Sequence, residues 1–276
     1  MTLFTLFYIV PVIMSIFYSF TYYNILEPPK FIGWLNYIKL FLDDDIFLIA
    51  IKNTFLFALI TGPISYIACF MFAWMVNEYP PNIRAIITLL LSAPSLSGNM
   101  YMIWQVIFSG DNYGYLNGFL LRTGIIRESI QWLQDPKYMM AVIIIATLWI
   151  NLGISFLAFI AGLQGIDRNI YEAAAIDGVK NRWQELWYIT LPAMRPILMF
   201  GAVMQITSTF NVGDICVALA GFPSVDYAAH TVVTHLMDYG SIRFEMGYAS
   251  AIATVLFAIM VGSNKLIQNL LRKVGE

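Results

Sequence analysis

Few side chains in this sequence have the types and spacing that covalent or metal chemistry needs. The two histidines, His230 and His235, are five residues apart, whereas a metal-binding pair on one helix is normally one turn apart, and no third ligand accompanies them. Three consecutive acids, Asp43 to Asp45, cannot all point at one ion from a regular element, so they favour a solvated acidic turn. Cys69 and Cys216 lie in apolar runs and suit small buried side chains. We therefore predict no metal site.

Catalytic arrangements are equally hard to find. No glycine-rich loop with a lysine, which would cradle a phosphate, occurs in the chain. No nucleophile motif accompanies the histidines, so no grouping of nucleophile, base and acid can be argued. The sequence predicts no catalytic residue, and it predicts that this chain is not an enzyme and does not hydrolyse ATP itself.

Polar side chains recur instead inside apolar stretches, where their chemistry is hydrogen bonding. Gln205 and Ser208 share one face of a predicted helix, and Asn211 follows Ser208 at a three-residue step. A polar group facing lipid without a partner costs several kcal/mol, so this row must face protein or water. Two uses remain open: hydrogen bonds between helices, or a hydrated passage for a hydroxyl-rich solute. The candidate pathway residues are Asn99, Tyr101, Gln105, Asn151, Gln205, Ser208 and Asn211.

Proline and glycine interrupt the apolar stretch that carries Asn99, Tyr101 and Gln105. Pro94 and Gly98 are four residues apart inside an apolar run, which predicts a kinked helix. The kink is either an ordinary membrane-helix irregularity or the bend of a helix that lines the pathway with Asn99, Tyr101 and Gln105.

Composition places these residues in a membrane. The chain is 59% hydrophobic and 12% charged, whereas soluble domains are roughly 45–50% apolar and 25% charged. The net charge of -2 gives no reason to expect nucleic acid as a partner. Six stretches approach the roughly 20 apolar residues that a spanning helix needs: Leu3–Tyr23, Ala50–Val76, Ile83–Phe108, Tyr138–Ala161, Met194–Cys216 and Met246–Leu270. We predict an all-α polytopic membrane protein, with residues 1–276 forming one transmembrane domain in the lipid bilayer.

The longest polar interruption between these stretches runs from Leu163 to Pro196. It predicts a short helix capped by Asp167 or Asn169, with a smooth surface of small side chains at Ala173–Ala175. Gly178 stands where a left-handed stop would be needed. A second, amphipathic helix follows, with a face of Trp183, Leu186, Trp187 and Thr190 that suits a membrane surface, and the chain re-enters the apolar run at Leu191–Pro192.

This interruption carries a family resemblance. Glu172-Ala173-Ala174, Asp177-Gly178 and Ile189-Thr190-Leu191-Pro192 resemble the EAA motif of permease subunits of binding-protein-dependent ABC importers. Leu163-Gln164-Gly165-Ile166, Tyr171 and Trp183 resemble the maltose-type carbohydrate-uptake branch more narrowly. Asp167 stands where that family usually has proline, and Val179 where it usually has alanine. Gly114-Tyr115-Leu116-Asn117 is similar to the family's Gly-x-Leu-Asn turn, after which a short helix is expected from Asn117 to Ile126.

The resemblance implies a type I ABC importer permease fold, with residues 163–196 as a cytoplasmic coupling loop in a cleft of an ATPase subunit. The residues expected to couple to the ATPase are Glu172, Ala173, Ala174, Asp177, Gly178, Leu191 and Pro192. The implied partners are a homologous second permease, two ATPase subunits that bind ATP and Mg, and an extracytoplasmic sugar-binding protein; no cofactor is expected in this chain.

The implied location is the bacterial cytoplasmic membrane, with both termini in the cytoplasm. Basic residues are denser in the segments then placed inside, and Arg272-Lys273 follows the last apolar stretch, as expected for cytoplasmic loops. The implied function is movement of a sugar or oligosaccharide by alternating access. An ABC permease for another polar solute is the alternative. A standalone secondary transporter is a different class, and it would need ionisable groups inside the membrane, of which the deep helical interiors are almost free.

Overall fold

The computed structural model describes residues 2–97 and 100–273, and these residues are largely helical. Two short strands, β1 (Thr21–Tyr22) and β2 (Lys30–Phe31), form an antiparallel pair. The helices are α1 (Thr2–Tyr18), α2 (Leu35–Ile38), α3 (Asp45–Asn77), α4 (Pro81–Leu96), α5 (Tyr101–Ile107), α6 (Tyr115–Arg122), α7 (Pro136–Ile150), α8 (Ile154–Gln164), α9 (Arg168–Ile176), α10 (Arg182–Phe210), α11 (Asp214–Ala220), α12 (Val232–Met237) and α13 (Met246–Lys273).

Within the described ranges, four helical segments are long and apolar enough to cross a membrane: α3, α7 with α8, α10, and α13 to Asn269. The other two predicted spans correspond to the shorter apolar helix α1 and to the pair α4 and α5. The all-α membrane architecture is as predicted, but several predicted spans are not single straight helices.

Three of the predicted spans are interrupted. The predicted kink after Pro94 is a break, because α4 ends at Leu96 and Ser97 has an extended backbone. The predicted helix Tyr138–Ala161 is broken at residues 151–153, where a β-carbon on Gly153 would lie 2.6 Å from that of Ser95. The predicted helix Met194–Cys216 ends at Phe210, and residues 211–213 are not helical. Apolar composition alone did not reveal these interruptions.

The first predicted span, Leu3–Tyr23, is also too long. Its helix ends at Tyr18, and the chain turns into β1. The buried Asn36 holds this turn, because its Nδ2 donates to the carbonyl oxygens of Ser19 at 2.8 Å and Thr21 at 2.9 Å. The hydrogen bonds come from a residue in a later segment, so the apolar pattern of the helix could not show where it ends.

The polar interruption is shorter than predicted. The helix α10 begins at Arg182 and continues through Leu191 and Pro192 to Phe210, with a π-helical turn at Leu186–Thr190. Asn181 caps it by accepting a hydrogen bond from the Gln184 amide at 2.9 Å. The predicted re-entry at Leu191–Pro192 does not begin a separate element: both residues lie inside α10, where Pro192 lacks the amide N–H of a helix interior just after the π-helical turn.

Two compact units divide the chain. Unit 1 comprises residues 1–58, 101–143 and 210–262, and unit 2 comprises residues 59–100, 144–209 and 263–276. Several boundaries fall inside helices, including α3, α7 and α13. The expectation of one transmembrane domain stays a prediction.

Unit 2 has an apolar core made by α3, α8 and α10. Phe159 is fully buried, and its ring meets Tyr66 and Phe70 edge-on at 5.5 and 5.7 Å between ring centres. A β-carbon at Gly201 would lie 2.5 Å from the Phe159 ring, so α10 approaches α8 closely there. Leu186 and Met194 complete this core from α10. This packing holds α8, which precedes α9, and α10, which carries the polar residues, against each other and against α3.

In unit 1, a buried asparagine joins α6 to the segments on either side of it. Asn117 is fully buried in α6, and its Nδ2 lies within hydrogen-bond distance of the carbonyl oxygens of Ser109, Asp111 and Ile130. The Asn117 Oδ1 accepts from the Trp132 indole at 2.8 Å. The expected short helix is present as α6, beginning two residues before Asn117.

Candidate functional sites

The short helix α9 carries the coupling residues, and its start is defined by one side chain. Asp167 is the N-cap, and its Oδ1 accepts a hydrogen bond from the Asn169 amide at 3.0 Å. Of the two predicted caps, the structure selects Asp167. Its carboxylate also complements the positive end of the helix.

The end of α9 depends on Gly178, which has a φ of +98°. Two crossed hydrogen bonds close the helix: the Val179 amide donates to Ala174 O at 3.0 Å, and the Gly178 amide donates to Ala175 O. This is a Schellman motif, in which the residue after the C-cap takes the left-handed conformation that glycine adopts without strain. The predicted left-handed stop is present.

The predicted coupling residues on α9 form an accessible surface. Glu172, Ala173, Asp177 and Gly178 are exposed, and Ala174 is half-buried. Ile176 is 86% exposed on the same helix, and the sequence reasoning did not select it. An isoleucine in the last turn of a short polar helix could have indicated a contact site, because burying such an apolar side chain against a protein partner is favourable.

Beside α9 lies a groove of about 600 Å³ whose lining comes from α3, α4, α8, α9 and α10. Tyr171 on α9 and Thr190 on α10 hydrogen-bond through their hydroxyls at 3.0 Å. Arg182 at the start of α10 pairs with Glu78, just after α3, and with Glu185. These contacts join α9 to the start of one spanning helix and join that helix to the end of another.

The residues predicted to form the face of the second amphipathic helix lie at the start of α10. Leu186 and Thr190 are buried as members of that face, but Trp183 and Trp187 are 56% and 62% exposed. The π-helical turn rotates the residues that follow Glu185, so the regular spacing assumed from the sequence does not hold. Leu191 packs against the apolar core, and Pro192 is exposed.

A second candidate site lies in unit 2 where the break between α7 and α8 meets α10. Ser208 donates to Asn151 Oδ1 at 3.1 Å. Ser155 lies within hydrogen-bond distance of both Gly201 O, at 3.3 Å, and Gln205 Oε1, at 3.4 Å. We call Asn151, Ser155, Gln205 and Ser208 the amide cluster. The structure thus brings together three of the predicted pathway residues and adds Ser155.

Two amide nitrogens in this cluster have no acceptor among the described residues: Asn151 Nδ2 and Gln205 Nε2. Gln205 is 4% exposed. A buried polar group without a hydrogen bond costs about 1–3 kcal/mol. The cluster therefore retains hydrogen-bond donors beyond those that join its helices.

The remaining predicted pathway residues have separate surroundings. Asn99 lies outside the described residues. Tyr101, Gln105 and Asn211 belong to unit 1, where Gln105 Nε2 donates to the carbonyl oxygen of Ala218 on α11. Asn211 is exposed and follows the end of α10, so the helical step predicted between Ser208 and Asn211 is wrong.

Comparison with known proteins identifies the family. Residues 82–275 match the family described as "Binding-protein-dependent transport system inner membrane component". The chain belongs to this family. The resemblance read from the EAA motif is confirmed, and the chain is a transport component rather than an enzyme. A standalone secondary transporter is set aside, because members of this family work with a binding protein.

Relatives extend the match along the chain. The probable ABC transporter permease YesP of Bacillus subtilis is 33% identical over 93% of this chain and 82% of its own length. The lactose transport system permease LacF of Rhizobium radiobacter is 33% identical over 67% of this chain and 61% of its own length. The arabinooligosaccharides permease AraP of Halalkalibacterium halodurans is 27% identical over 83% of this chain and 72% of its own.

A solved structure shows the fold. A chain of a bacterial alginate ABC transporter, in complex with an alginate pentasaccharide-bound periplasmic protein, aligns with a TM-score of 0.80 at 20% identity. The alignment covers 100% of this chain and 92% of that chain. The chain therefore has the ABC importer permease fold, and it is an integral membrane protein of a binding-protein-dependent importer.

Proposed function

We propose that this permease moves a sugar or oligosaccharide inward by alternating access, and that the amide cluster contacts the solute. The observation that carries the proposal is the pair of buried amide nitrogens without acceptors among the described residues, at Asn151 in the break between α7 and α8 and at Gln205 in α10. A hydroxyl-rich solute supplies acceptors for both. Relatives named for lactose and for arabinooligosaccharides support a carbohydrate.

A second polar solute class deserves a test because one relative is named for it. The sn-glycerol-3-phosphate permease UgpA of Agrobacterium fabrum is 26% identical over 84% of this chain. A phosphate group would need basic or backbone donors, whereas the amide cluster offers neutral donors. The neutral cluster favours an uncharged carbohydrate over a phosphorylated solute.

The coupling proposal concerns α9. Its exposed, small-faced surface is suited to a cleft in an ATPase subunit, with Ile176 as an apolar anchor. Motion of α9 would pass to α10 through the Tyr171–Thr190 hydrogen bond, and from α10 to the end of α3 through the Arg182–Glu78 pair. We further propose two ATPase subunits carrying ATP and Mg, a homologous second permease and an extracytoplasmic sugar-binding protein.

The orientation that follows places α9 and both termini in the cytoplasm. In Asp177→Cys, the new thiol would then react with a membrane-impermeant maleimide that is added to the cytoplasmic face of sealed vesicles. The same reagent added to the opposite face would not label it. The native Cys69 and Cys216 are buried, so they provide a low background. Labelling from the outer side would contradict the orientation.

The function is tested in the complete transporter reconstituted in vesicles, with uptake and ATP hydrolysis measured together. Gln205→Leu removes one unpaired donor, and we expect uptake of a labelled oligosaccharide to fall at least roughly tenfold. Thr207→Val is the matched control, because Thr207 is an exposed α10 residue whose hydroxyl donates to Val203 O, one turn earlier in the same helix, at 3.0 Å. Equal uptake in both variants would contradict a solute contact.

Coupling is tested with Gly178→Asp. This change strains the Schellman turn and adds charge, so substrate-stimulated ATP hydrolysis should be lost while the subunit stays in the membrane. Gly124→Asp is the control, since Gly124 also has a positive φ, +72°, and open space around it. Retained stimulation in Gly178→Asp, or equal loss in Gly124→Asp, would contradict the role of α9.

A further inference from the structure

A buried hydrogen-bonded chain of side chains runs through unit 1, and none of its residues belongs to the two sites described above. His235 Nε2 lies 3.1 Å from Asp44 Oδ2, and His235 Nδ1 lies 3.1 Å from His230 Nε2. Tyr248 donates to the same Asp44 oxygen at 2.7 Å. Both histidines are at least 97% buried, and the Asp44 side chain is 8% exposed. We call Asp44, His230, His235 and Tyr248 the histidine cluster.

The cluster closes contacts between distant parts of the chain. Asp44 precedes α3, whereas His235 lies in α12 and Tyr248 in α13. Two α3 residues secure the same segment: Asn53 donates to the carbonyl oxygens of Tyr227 and His230 at 3.0 Å, and Thr54 accepts from the Val232 amide at 2.9 Å. The segment before α12 is therefore held against α3, and the histidine pair lies within this junction.

The geometry allows one assignment of protons when both histidines are neutral. A carboxylate only accepts, so His235 Nε2 must donate to Asp44 and His235 Nδ1 must accept. His230 Nε2 then donates to His235, and His230 Nδ1 accepts from the Thr234 hydroxyl at 3.3 Å. Every ring nitrogen of the pair is satisfied in this arrangement.

One added proton also fits. His235 then carries a proton on each nitrogen and donates to Asp44 and to His230 Nε2. The single proton of His230 then lies on Nδ1 instead of Nε2, so Nδ1 donates to the Thr234 hydroxyl, which turns to donate to Thr231 O at 2.8 Å. The negative charge of Asp44 balances the added positive charge, and no side chain has to move.

A second added proton does not fit. It would place N–H groups of both rings head to head across the same 3.1 Å, so the hydrogen bond becomes a clash between two positive donors. We infer that the histidine cluster is a proton-operated latch that is closed with up to one added proton. The second added proton opens it by separating His230, in the segment before α12, from His235, which is bonded to Asp44.

The pKa values of Asp44 and His230 agree with a charged Asp44 and a late protonation of His230. Burial by itself raises the pKa of Asp44, but the hydrogen bonds from His235 and Tyr248 lower it to about 2. The Asp44 carboxylate therefore stays charged while His230 titrates. Burial and the charge of His235 lower the pKa of His230 to about 4 from its ordinary 6.5.

The surrounding charges are balanced among themselves. Asp238 pairs with Arg243 at 2.7 Å, and Lys39 pairs with Glu245 at 3.8 Å while lying over the rings of Tyr239 and Tyr248. Tyr227 meets the His230 ring edge-on. Asp238 and Asp44 favour the protonated form of His230, but burial and His235 outweigh them.

The lowered pKa of His230 makes the stability of the folded chain depend on pH. The unfolded chain binds a proton at His230 near pH 6.5, whereas the folded chain binds it only near pH 4. Stability therefore falls as the pH drops from 6.5 towards 4 and levels off below. Loss of the Asp44 contribution comes lower, between its ordinary 3.8 and about 2. In the orientation proposed above, the latch faces the outer compartment; that placement rests on the proposed function, and the latch itself does not.

The test is the thermal unfolding midpoint of the assembled transporter between pH 7 and 4.5. We expect the wild-type folded-to-unfolded ratio to fall by roughly tenfold or more over this range. His230→Gln cannot take the second proton, so its profile should be nearly flat. Asp43→Asn, which changes the exposed acid next to Asp44, should keep the wild-type profile. A flat wild-type profile, or an equal fall in His230→Gln, would overturn the latch.

A second measurement remains decisive if His230→Gln fails to assemble. Deuterium exchange at the ring C2 atoms, read by mass spectrometry of peptides from the wild-type transporter, reports each histidine separately. We expect His230 to titrate well below pH 6.5. Titration of His230 at its ordinary value would overturn the proposal, whatever the solute assays show.

Discussion

The histidine cluster and the amide cluster are both buried and polar, but the first has its hydrogen bonds satisfied and the second does not. In the histidine cluster of unit 1, Asp44 accepts from His235, Tyr248 and the Phe47 amide, and the histidine nitrogens bond in sequence. In the amide cluster of unit 2, Asn151 and Gln205 each keep a nitrogen without an acceptor in the described chain. A satisfied buried network stabilises a structure, whereas an unsatisfied one costs stability.

The difference separates a structural role from a binding role. The histidine cluster links residues about 200 positions apart, since Asp44 and Tyr248 are separated by 204 residues. The amide cluster joins two neighbouring spans through longer contacts of 3.1 to 3.4 Å. Removing a partner should therefore cost stability in the first cluster and transport in the second.

The largest expected effect is that of Asp44→Ala. It leaves the buried His235 nitrogen and the Tyr248 hydroxyl without their acceptor, so we expect a loss of about 3 kcal/mol in the free energy of unfolding. Chemical denaturation of the purified transporter measures it. Asp43→Ala, at the exposed neighbour, should stay within about 0.5 kcal/mol, and equal losses would remove the contrast between the clusters.

A smaller loss is expected for Tyr248→Phe. The change removes one hydrogen bond of 2.7 Å to a carboxylate and keeps the ring, which corresponds to about 2 kcal/mol. The same denaturation assay applies. Tyr239→Phe, on the ring whose centre lies 4.5 Å away, is the control, and an effect there as large as that of Tyr248→Phe would show that ring packing dominates.

The smallest effect on stability is expected in the amide cluster. Gln205→Leu replaces an amide with an unpaired nitrogen by an apolar group of similar size, so stability should change by no more than about 1 kcal/mol in either direction. Denaturation of the same preparations used for uptake measures it. A loss as large as that of Asp44→Ala would show that Gln205 is structural and would weaken the solute assignment.

Local patterns in the sequence were sufficient for the coupling segment. An N-cap at Asp167 or Asn169 and a left-handed turn at Gly178 follow from residue type and spacing over about ten positions; the structure has Asp167 as the cap and Gly178 in that turn. The family follows from the same short motif. The limits of the other spans did not follow, because the breaks at residues 151–153 and 211–213 lie in stretches whose composition is continuous with a helix, whereas Pro94 and Gly98 predicted the kink that is a break at Ser97.

The acidic turn and the histidines show the other limit. Asp44 was expected to be solvated with its neighbours, which is wrong, since its side chain is 8% exposed and pairs with His235. Nothing near Asp44 in the chain indicates a partner 191 residues away. The place of Gln105 in the pathway stays a prediction; its amide nitrogen donates to the carbonyl oxygen of Ala218 on α11, a contact that no residue near Gln105 in the chain indicates.

The amino-acid sequence by itself determined the membrane class, the family and the caps of α9, because composition and short-range hydrogen bonds depend on residues that are close in the chain. Only the tertiary structure decided which buried polar groups are satisfied. A hydrogen bond forms when two groups lie about 3 Å apart in a fitting direction, and for Asp44 with His235 or Ser155 with Gln205 that distance is set by the packing of separate helices.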